Sequence, residues 1–358
     1  MVIGLSLSII MEGDRKVSLE DGAGGELMDQ MITKEILPLF RCERGEIPLE
    51  DLDDSAVLND LVFTIDSHTV KPIFFNGGNI GTLSICGTIN DILALGGQPV
   101  AIASALVLPE GFRYSSLKRI LKGAAGICEA TGVPVLAGDT KVVGREDMDE
   151  PIMTTSAVGK RHQALDGNLE LAGGRRSRWL SDKNLNIGDK IIVSGSIGDH
   201  GMTILSEREG YGFQGNIKSD VAPLLDIMDA ALSIGGVAAA KDPTRGGLAN
   251  ALNEWARKSE VGIVVQESAI PLKPWVKSAG EMLGIDPLNV GNEGKMIIAV
   301  HPSNAEKVLK EVRKTENGKY AKIIGEVVED VKGVVLETEV GGKRILDPPM
   351  GDPVPRIC

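Results

Sequence analysis

Aspartates recur at the ends of predicted strands, or beside glycines, through the first half of the sequence. Asp54, Asp66, Asp91 and Asp139 are the main members of this series. A single aspartate of this kind is more often a turn former or helix cap than a ligand. Several that converge at strand ends would suit Mg²⁺, because carboxylates without His or Cys match a hard cation. The spacing therefore indicates a site for Mg²⁺ and an anionic ligand.

The last residue of the sequence, Cys358, follows a proline-rich segment. Proline fixes φ and removes a backbone donor, so residues 347–358 are predicted to form an extended arm. Such an arm would reach roughly 35 Å at about 3.1 Å per residue, enough to bring the thiol into a pocket or a partner. The alternative is a frayed terminus that happens to end in Cys.

Two residues in the second half are further candidates for chemistry. Glu293 stands between glycines directly before an apolar strand, although an exposed turn would give the same pattern. His200 is either a proton carrier or a loop histidine satisfied by hydrogen bonds. Glycines at 22–25 and 246–247 precede predicted helices, where free N–H groups could hold phosphate. There is no GxxxxGK[ST] loop and no well-placed GxGxxG, so a nucleotide would not be held in the commonest manner.

The composition excludes several classes of protein. The net charge of −12 argues against a general nucleic-acid binder or an anionic-membrane binder. No apolar run is long enough to span a bilayer. Four cysteines without CxxC spacing argue against a zinc site or a disulfide framework, and suit a reducing cytoplasm. Cys86 and Cys128 fall in apolar-periodic stretches and are predicted to be small core residues.

Apolar periodicity predicts the elements that must position these residues. Helices are predicted over 26–39, 80–95, 117–128, 201–208, 223–232 and from 248. Strands are predicted at 61–66, 99–108, 134–137, 151–159, 190–194, 262–266, 295–301, 320–328 and 333–338. The strand at 134–137 is expected to end at Asp139, Thr140 and Lys141. The alternation predicts an α/β fold.

The length of 358 residues favours two domains. Periodicity lapses between residues 160 and 188, where a basic cluster at 173–178 is predicted to be a solvated loop. The resulting division is an N-terminal extension (1–20), an N-terminal domain (21–160), a linker loop (161–188), a C-terminal α/β domain (189–338) and a flexible tail (339–358).

Taken together, the motifs resemble a family of ATP-using enzymes that includes aminoimidazole ribonucleotide synthetase, thiamine-monophosphate kinase and selenophosphate synthetase. Within it the likeness is greatest to the HypE family of hydrogenase maturation proteins, which are carbamoyl dehydratases. It rests on GAGG at 22–25, DSAV at 54–57, TVKP and FF at 69–75, GTIND at 87–91, GDTKVV at 138–143, GDHG at 198–201, SDVAPL at 219–224, NEGK at 292–295 and PRIC at 355–358. The last motif discriminates most, because relatives with other activities lack it.

The resemblance implies a two-domain synthetase-like fold in which N-terminal strands of two subunits form a β-barrel, giving a homodimer. It implies that ATP and Mg²⁺ are bound by Asp54, Asp91 and Asp139, with Asp66, Asn90, Thr140, Asp242 and Asn292 also at the nucleotide. The sequence departs from the family pattern at Asn76 and Asn79, where proline and aspartate are usual, and in a longer stretch at 161–183.

The implied reaction begins when a carbamoyltransferase of the HypF type attaches a carbamoyl group to Cys358. The tail then enters the nucleotide site, where ATP-dependent dehydration gives a thiocyanate. Glu293 is the expected base and Lys141 its positive partner, while Cys358 is nucleophile and substrate carrier. Cyanide would pass to iron through HypC and HypD.

Two alternatives remain open. A kinase or synthetase of the same fold, acting on a free substrate, would keep its turnover without the last residues of the tail. A non-catalytic carrier that presents Cys358 to partners would not hydrolyse ATP.

Overall fold

The computed structural model describes residues 16–22, 25–40, 45–211, 217–350, 354 and 357–358. The helices are α1 (Glu26–Met31), α2 (Ile80–Ala94), α3 (Tyr114–Thr131), α4 (Leu165–Leu171), α5 (Asp199–Glu209), α6 (Leu225–Ile234), α7 (Gly247–Ser259), α8 (Pro274–Leu283) and α9 (Ala305–Val312). The strands of the N-terminal half are β1 (Ala56–Leu58), β2 (Leu61–His68), β3 (Phe74–Phe75), β4 (Gly78–Asn79), β5 (Gly97–Pro109), β6 (Val135–Val143) and β7 (Ile152–Arg161). Those of the C-terminal half are β8 (Lys190–Val193), β9 (Val237–Lys241), β10 (Gly262–Gln266), β11 (Ile297–Val300), β12 (Lys322–Val328), β13 (Gly333–Glu337) and β14 (Lys343–Ile345). Cys42, Ala23, Gly24, Pro355 and Arg356 lie outside the described residues.

A five-stranded sheet in the order β1-β2-β7-β5-β6 organises the N-terminal half. Helix α2 packs on one face, against β2 and β7, and on its other side contacts β9 and α6. Because α2 is enclosed, nearly all of its residues are buried, including Cys86, as predicted. Asn79 caps this helix, since its Oδ1 accepts hydrogen bonds from the N–H groups of Gly81 at 2.8 Å and Thr82 at 3.2 Å. The asparagine that departs from the family pattern thus serves the helix on which Asp91 lies.

The opposite face of this sheet carries exposed apolar side chains, which no described part of the chain covers. Side chains of β2 alternate, so that Val62 is buried while Phe63 and Ile65 point outward. Ile65 is 70% exposed, and Leu136 on the edge strand β6 is 75% exposed. Exposed large apolar side chains on one sheet are typical of an interaction surface.

A seven-stranded sheet in the order β14-β13-β10-β12-β8-β11-β9 organises the C-terminal half. Its interior strand β8 is buried on both faces: Ile192 belongs to the core shared with α6 and α9, whereas Ile191 and Val193 belong to the core under α7. Trp255 of α7 fills that second core. The α/β prediction is therefore confirmed. Among the described helices, none has both the length and the hydropathy needed to cross a bilayer.

Two strand ends differ from the prediction. β2 continues to His68 and β6 to Val143, so Asp66, Asp139, Thr140 and Lys141 lie inside strands and not at their ends. The extension has a simple cause, because β6 pairs with β5 through Leu108 and Pro109, beyond the apolar run that the sequence pattern detects.

The predicted linker loop and tail contain buried structure. Helix α4 lies in the linker, where Trp179 and Leu180 are fully buried and Arg175 pairs with Asp189 at 2.7 Å. The basic cluster is therefore not simply solvated, because Arg175 pairs with Asp189 and Arg178 pairs with Glu46 and Asp60. In the tail, β14 pairs with β13, and Val354 and Ile357 are buried. Helices α8 and α9 were not predicted.

Candidate active site

A cavity of about 220 Å³ lies where residues of the two halves of the chain meet. It is lined by Asp54, Asp66, Ser67, His68, Gly87 and Asp91 from the first half and by Asp242, Thr244, Arg245, Glu293 and Cys358 from the second. Asp54 precedes β1, and β2 and α2 supply the rest of the first set. The segment after β9 and the loop before β11 supply most of the second. The tail thus places Cys358 in a carboxylate-lined cavity of its own chain.

The tail is held by apolar packing and by hydrogen bonds. Val354 and Ile357 are at most 1% exposed and belong to the larger core. The Ile357 carbonyl oxygen lies 2.8 Å from His200 Nε2. A Cβ at Gly291 would lie 2.5 Å from Ile357 Cδ1 and 2.9 Å from the Thr244 carbonyl oxygen, so a side chain at this position would force its neighbours, the end of the tail among them, to shift. The predicted arm therefore reaches a pocket.

Glu293 is buried beside the thiol in the same cavity. Its Oε1 has no hydrogen-bond partner within the described part of the chain. Burial, with the charges of Asp242 and Asp220, raises the pKa of Glu293 well above its ordinary value. A partnerless buried carboxyl group with a raised pKa is suited to proton transfer.

The aspartates of the cavity repel one another. Burial, and then Asp66 and Asp242, raise the pKa of Asp91 well above its ordinary value. Burial raises the pKa of Asp242 to about 6. Asp91 accepts a hydrogen bond from Thr64 Oγ1 at 2.8 Å. The site therefore concentrates negative charge that a cation would relieve.

Lys241 supplies positive charge at the base of this site. Its Nζ lies 2.5 Å from Asp54 Oδ1, 3.1 Å from Glu254 Oε2 and 3.2 Å from Asp182 Oδ2. Burial alone would lower the pKa of Lys241, but the charges of Asp182 and Asp54 raise it well above its ordinary value. The lysine stays charged and ties Asp54 to the C-terminal half.

The carboxylate oxygens of the cavity are ligands of the type that a hard divalent cation prefers. Asp54 Oδ2 is buried and has no hydrogen-bond partner in the described ranges. Its neighbours in the cavity, Asp66, Asp91 and Asp242, offer further carboxylate oxygens. No three His, Cys, Asp or Glu side chains of the described residues are already grouped as a metal site. The types of ligand therefore suit a divalent cation, although the described side chains are not grouped closely enough to form a metal site.

The structure brings together some of the predicted site residues and not others. Asp54, Asp66, Asp91, Asp242, Glu293 and Cys358 line one cavity. Asp139, Thr140 and Lys141 are exposed on β6 and do not line it in the protomer. Asn90 and Asn292 are buried with their amides bonded to backbone groups, Asn90 to Ala222 and Leu224, and Asn292 to Gly198, Pro243 and Val290. Both asparagines fix loops around the cavity.

Five residues of the cavity lining had no predicted role at the site, namely Ser67, His68, Gly87, Thr244 and Arg245. Burial lowers the pKa of His68 to about 4, and its Nδ1 has no partner among the described residues. The charge of Cys358 is the largest cause of a raised pKa at Arg245. A Cβ at Gly87 would lie 3.1 Å from His68 Nε2, so a side chain there would crowd the imidazole. His68 lies on the same buried side of β2 as Val62 and Thr64, so the two-residue alternation of the strand could have predicted that its side chain points inward.

Comparison with known proteins places the chain in a family. Residues 52–160 match the N-terminal domain of the AIR synthase related proteins, and residues 186–337 match their C-terminal domain. Carbamoyl dehydratase HypE of Azotobacter vinelandii is 42% identical over 349 residues, which cover 96% of this chain and 97% of that protein. The chain belongs to the HypE family of carbamoyl dehydratases.

Solved HypE structures have the same fold. The HypE–HypF complex gives a TM-score of 0.82 at 39% identity and covers 89% of this chain and 99% of that chain. HypE in complex with ATP gives a TM-score of 0.77 at 36% identity and covers 95% of this chain and 99% of that one. The HypE resemblance inferred from the motifs is confirmed. The domain boundaries and the roles of individual site residues stay predictions.

Proposed function

We propose that this chain dehydrates an S-carbamoyl group on its own Cys358 to a thiocyanate, with consumption of ATP. The observation that carries the proposal is the place of Cys358, in a cavity with Glu293 and four aspartates. The thiocyanate would supply the cyanide ligand of iron in [NiFe]-hydrogenase. The solved complexes of HypE with HypF and with ATP support the carbamoyl donor and the nucleotide.

The reaction balances as the loss of one oxygen and two hydrogens from the carbamoyl group. An amide oxygen is a poor leaving group, and ATP supplies the phosphoryl group with which it departs as phosphate. The carbon then forms a triple bond to nitrogen, which releases two protons. A proton acceptor must therefore lie within hydrogen-bond reach of the amide nitrogen.

Glu293 is our candidate for that acceptor. It shares the cavity with Cys358, and the partnerless Oε1 leaves one oxygen for a substrate proton. Its raised pKa makes the ionised form a stronger base than an ordinary carboxylate. Arg245 is a positive group that the protomer places in this cavity, so it rather than Lys141 is suited to stabilise negative charge there.

Asp54, Asp66, Asp91 and Asp242 would hold Mg²⁺, which would neutralise charge on the phosphates of the nucleotide. We infer that Asp139, Thr140 and Lys141 act only in a homodimer, where β6 of one subunit approaches the other. The exposed apolar face of the five-stranded sheet supports such a dimer.

The further partners follow from the reaction. A HypF-type carbamoyltransferase would load Cys358, and a HypC–HypD complex would receive the cyanide. The sparse cysteines suit a reducing compartment, so we infer that the reaction takes place in the cytoplasm.

The test is single-turnover dehydration of the intact protein. Protein carbamoylated at Cys358 is mixed with MgATP, and the mass of the tail peptide is followed. We expect the loss of one water molecule, with none when ATP is omitted, and no carbamoylation of Cys358→Ala. An unchanged mass in carbamoylated protein would overturn the proposal. ATP-dependent turnover that survives removal of the tail would point to a free small-molecule substrate instead.

A further inference from the structure

His200 joins the tail to the body of the protein. It lies in the first turn of α5 and is fully buried. Its Nε2 is 2.8 Å from the Ile357 carbonyl oxygen, and its Nδ1 is 2.7 Å from Ser219 Oγ. The edge of its ring meets Phe75, with ring centroids 5.4 Å apart. The reaction uses none of these contacts directly.

The hydrogen-bond partners fix the tautomer of this imidazole. A carbonyl oxygen can only accept, so Nε2 must carry the proton and donate it to Ile357. Nδ1 is then an acceptor, and the Ser219 hydroxyl donates to it. Ser219 Oγ in turn accepts the Val221 N–H at 3.1 Å. Every polar atom of the pair is satisfied only while the tail lies in the cavity.

The bond also limits where the thiol can go. The Ile357 carbonyl belongs to the peptide group that leads directly into Cys358. Thr69 Oγ1 lies 3.5 Å from the Cys358 carbonyl oxygen, at the limit of a hydrogen bond. The Ile357 side chain packs against Gly291. His200 therefore makes a closer hydrogen bond to this end of the tail than Thr69 does.

We propose that His200 is a positioning residue that holds the tail inside the cavity by donating a hydrogen bond to the Ile357 carbonyl. The inference rests on the proposed function, in which Cys358 must enter for dehydration and leave for its partners. His200 sets the balance between these two positions and does not touch the reacting atoms.

Site-specific alkylation of Cys358 tests the inference without any carbamoylation. The intact protein is treated with iodoacetamide, and the modified tail peptide is quantified by mass spectrometry, which separates Cys358 from the other cysteines. Loss of one hydrogen bond should raise the alkylation rate in His200→Phe on the order of tenfold. His200→Gln, which keeps an N–H donor, should restore most of the protection.

Ser219→Ala is the matched control. It removes the other bond of the imidazole but leaves the Ile357 contact, so its alkylation rate should stay near that of the unaltered protein. Equal rates in His200→Phe and the unaltered protein, or an equal rise in Ser219→Ala, would show that His200 is merely structural.

Histidine ¹⁵N NMR of the unaltered protein covers the case in which His200→Phe does not fold. We expect His200 in the Nε2–H form, with an Nε2 resonance that moves when residues 357–358 are deleted. An unmoved resonance would contradict the proposal. In the dehydration assay, His200→Phe should slow water loss while ATP affinity is unchanged. If the unaltered protein loses no water, the proposed function fails, whereas the alkylation result still decides the role of His200.

Discussion

Burial and the charges of Asp242 and Asp220 raise the pKa of Glu293, whereas Arg245 opposes that rise. The ionised fraction of a carboxyl group with a raised pKa grows with pH over a range above that of ordinary carboxylates. Because a general base must be ionised to accept a proton, the activity of Glu293 as a base should follow this displaced range.

The pH profile of single-turnover dehydration tests this assignment. We expect the rate to rise with pH, with the rise displaced above the ordinary glutamate range. Glu293→Gln should lose activity at every pH by at least about 100-fold, since general-base catalysis contributes that much or more. Glu293→Asp, which keeps a carboxylate, should keep a rising profile at a lower rate. A Glu293→Gln protein that dehydrates at the normal rate would exclude Glu293 as the base.

Asp91 destabilises the folded protein at neutral pH. Its pKa is raised by folding, so the folded state binds the proton more tightly than the unfolded state. Stability should therefore fall as pH rises from the unfolded pKa to the folded one.

Asp91→Asn should remove this penalty and raise the free energy of unfolding by about 1 kcal/mol at neutral pH. The gain should vanish at pH values below the ordinary aspartate range, where both states are protonated. Urea denaturation at several pH values measures it, with exposed Asp330→Asn as the control. The same variant should lose ATP binding. A gain that is independent of pH would contradict the electrostatic explanation.

The edge strand β6 is exposed in the described part of the chain, and β2, which β7 and β5 separate from it in the sheet, presents apolar side chains outward. Strands with an exposed edge and an apolar face are normally covered by a partner. The barrel-like dimer implied by the sequence would cover both at once.

Ile65→Glu should disrupt that dimer, because it buries a charge in an apolar interface. Light scattering should show a dimer for the unaltered protein and a monomer for the variant. Ile187→Glu is a control, since Ile187 is also exposed but does not belong to the five-stranded sheet. A monomeric unaltered protein, or an intact Ile65→Glu dimer, would contradict the assembly.

The sequence allowed the α/β fold and much of the cavity to be predicted, because periodicity and glycine-flanked aspartates are local signals. Asp54, Asp91 and Glu293 were found in this way. The linker was predicted to be a solvated loop because the sequence pattern does not show that Arg175 pairs with Asp189, a contact that forms only in the folded protein. His68 and Arg245 were missed for a related reason: no local pattern shows which strand position or loop residue faces a cavity formed by distant segments.

At the scale of the whole molecule, one buried charge network joins the two halves of the chain. Lys241 of β9 contacts Asp54, while Lys258 of α7 contacts Asp53 and the Leu52 carbonyl oxygen. Asp182, from the region between the domains, accepts from both lysines. The halves should therefore unfold together.

Lys241→Met should weaken the whole protein, because it leaves Asp54 and Asp182 without their buried partner. We expect a loss of about 3 kcal/mol in the free energy of unfolding, measured in urea. Lys314→Met is the matched control, since its exposed pair with Glu311 should contribute less than about 1 kcal/mol. Equal effects of the two substitutions would argue against the network.

Because Cys358 reaches a cavity of its own chain, its concentration in bulk solution does not determine how often the thiol meets the site. Because Cys358 is part of the chain that would transform it, the encounter is unimolecular, and its effective concentration is set by the tail and not by the amount of protein. The chemical step should then proceed at the same rate constant on dilution, and a Michaelis constant is defined for ATP but not for the carbamoyl group. Each subunit would deliver one cyanide per loading, so the flux of the reaction would scale with the number of subunits and the rate at which they are reloaded.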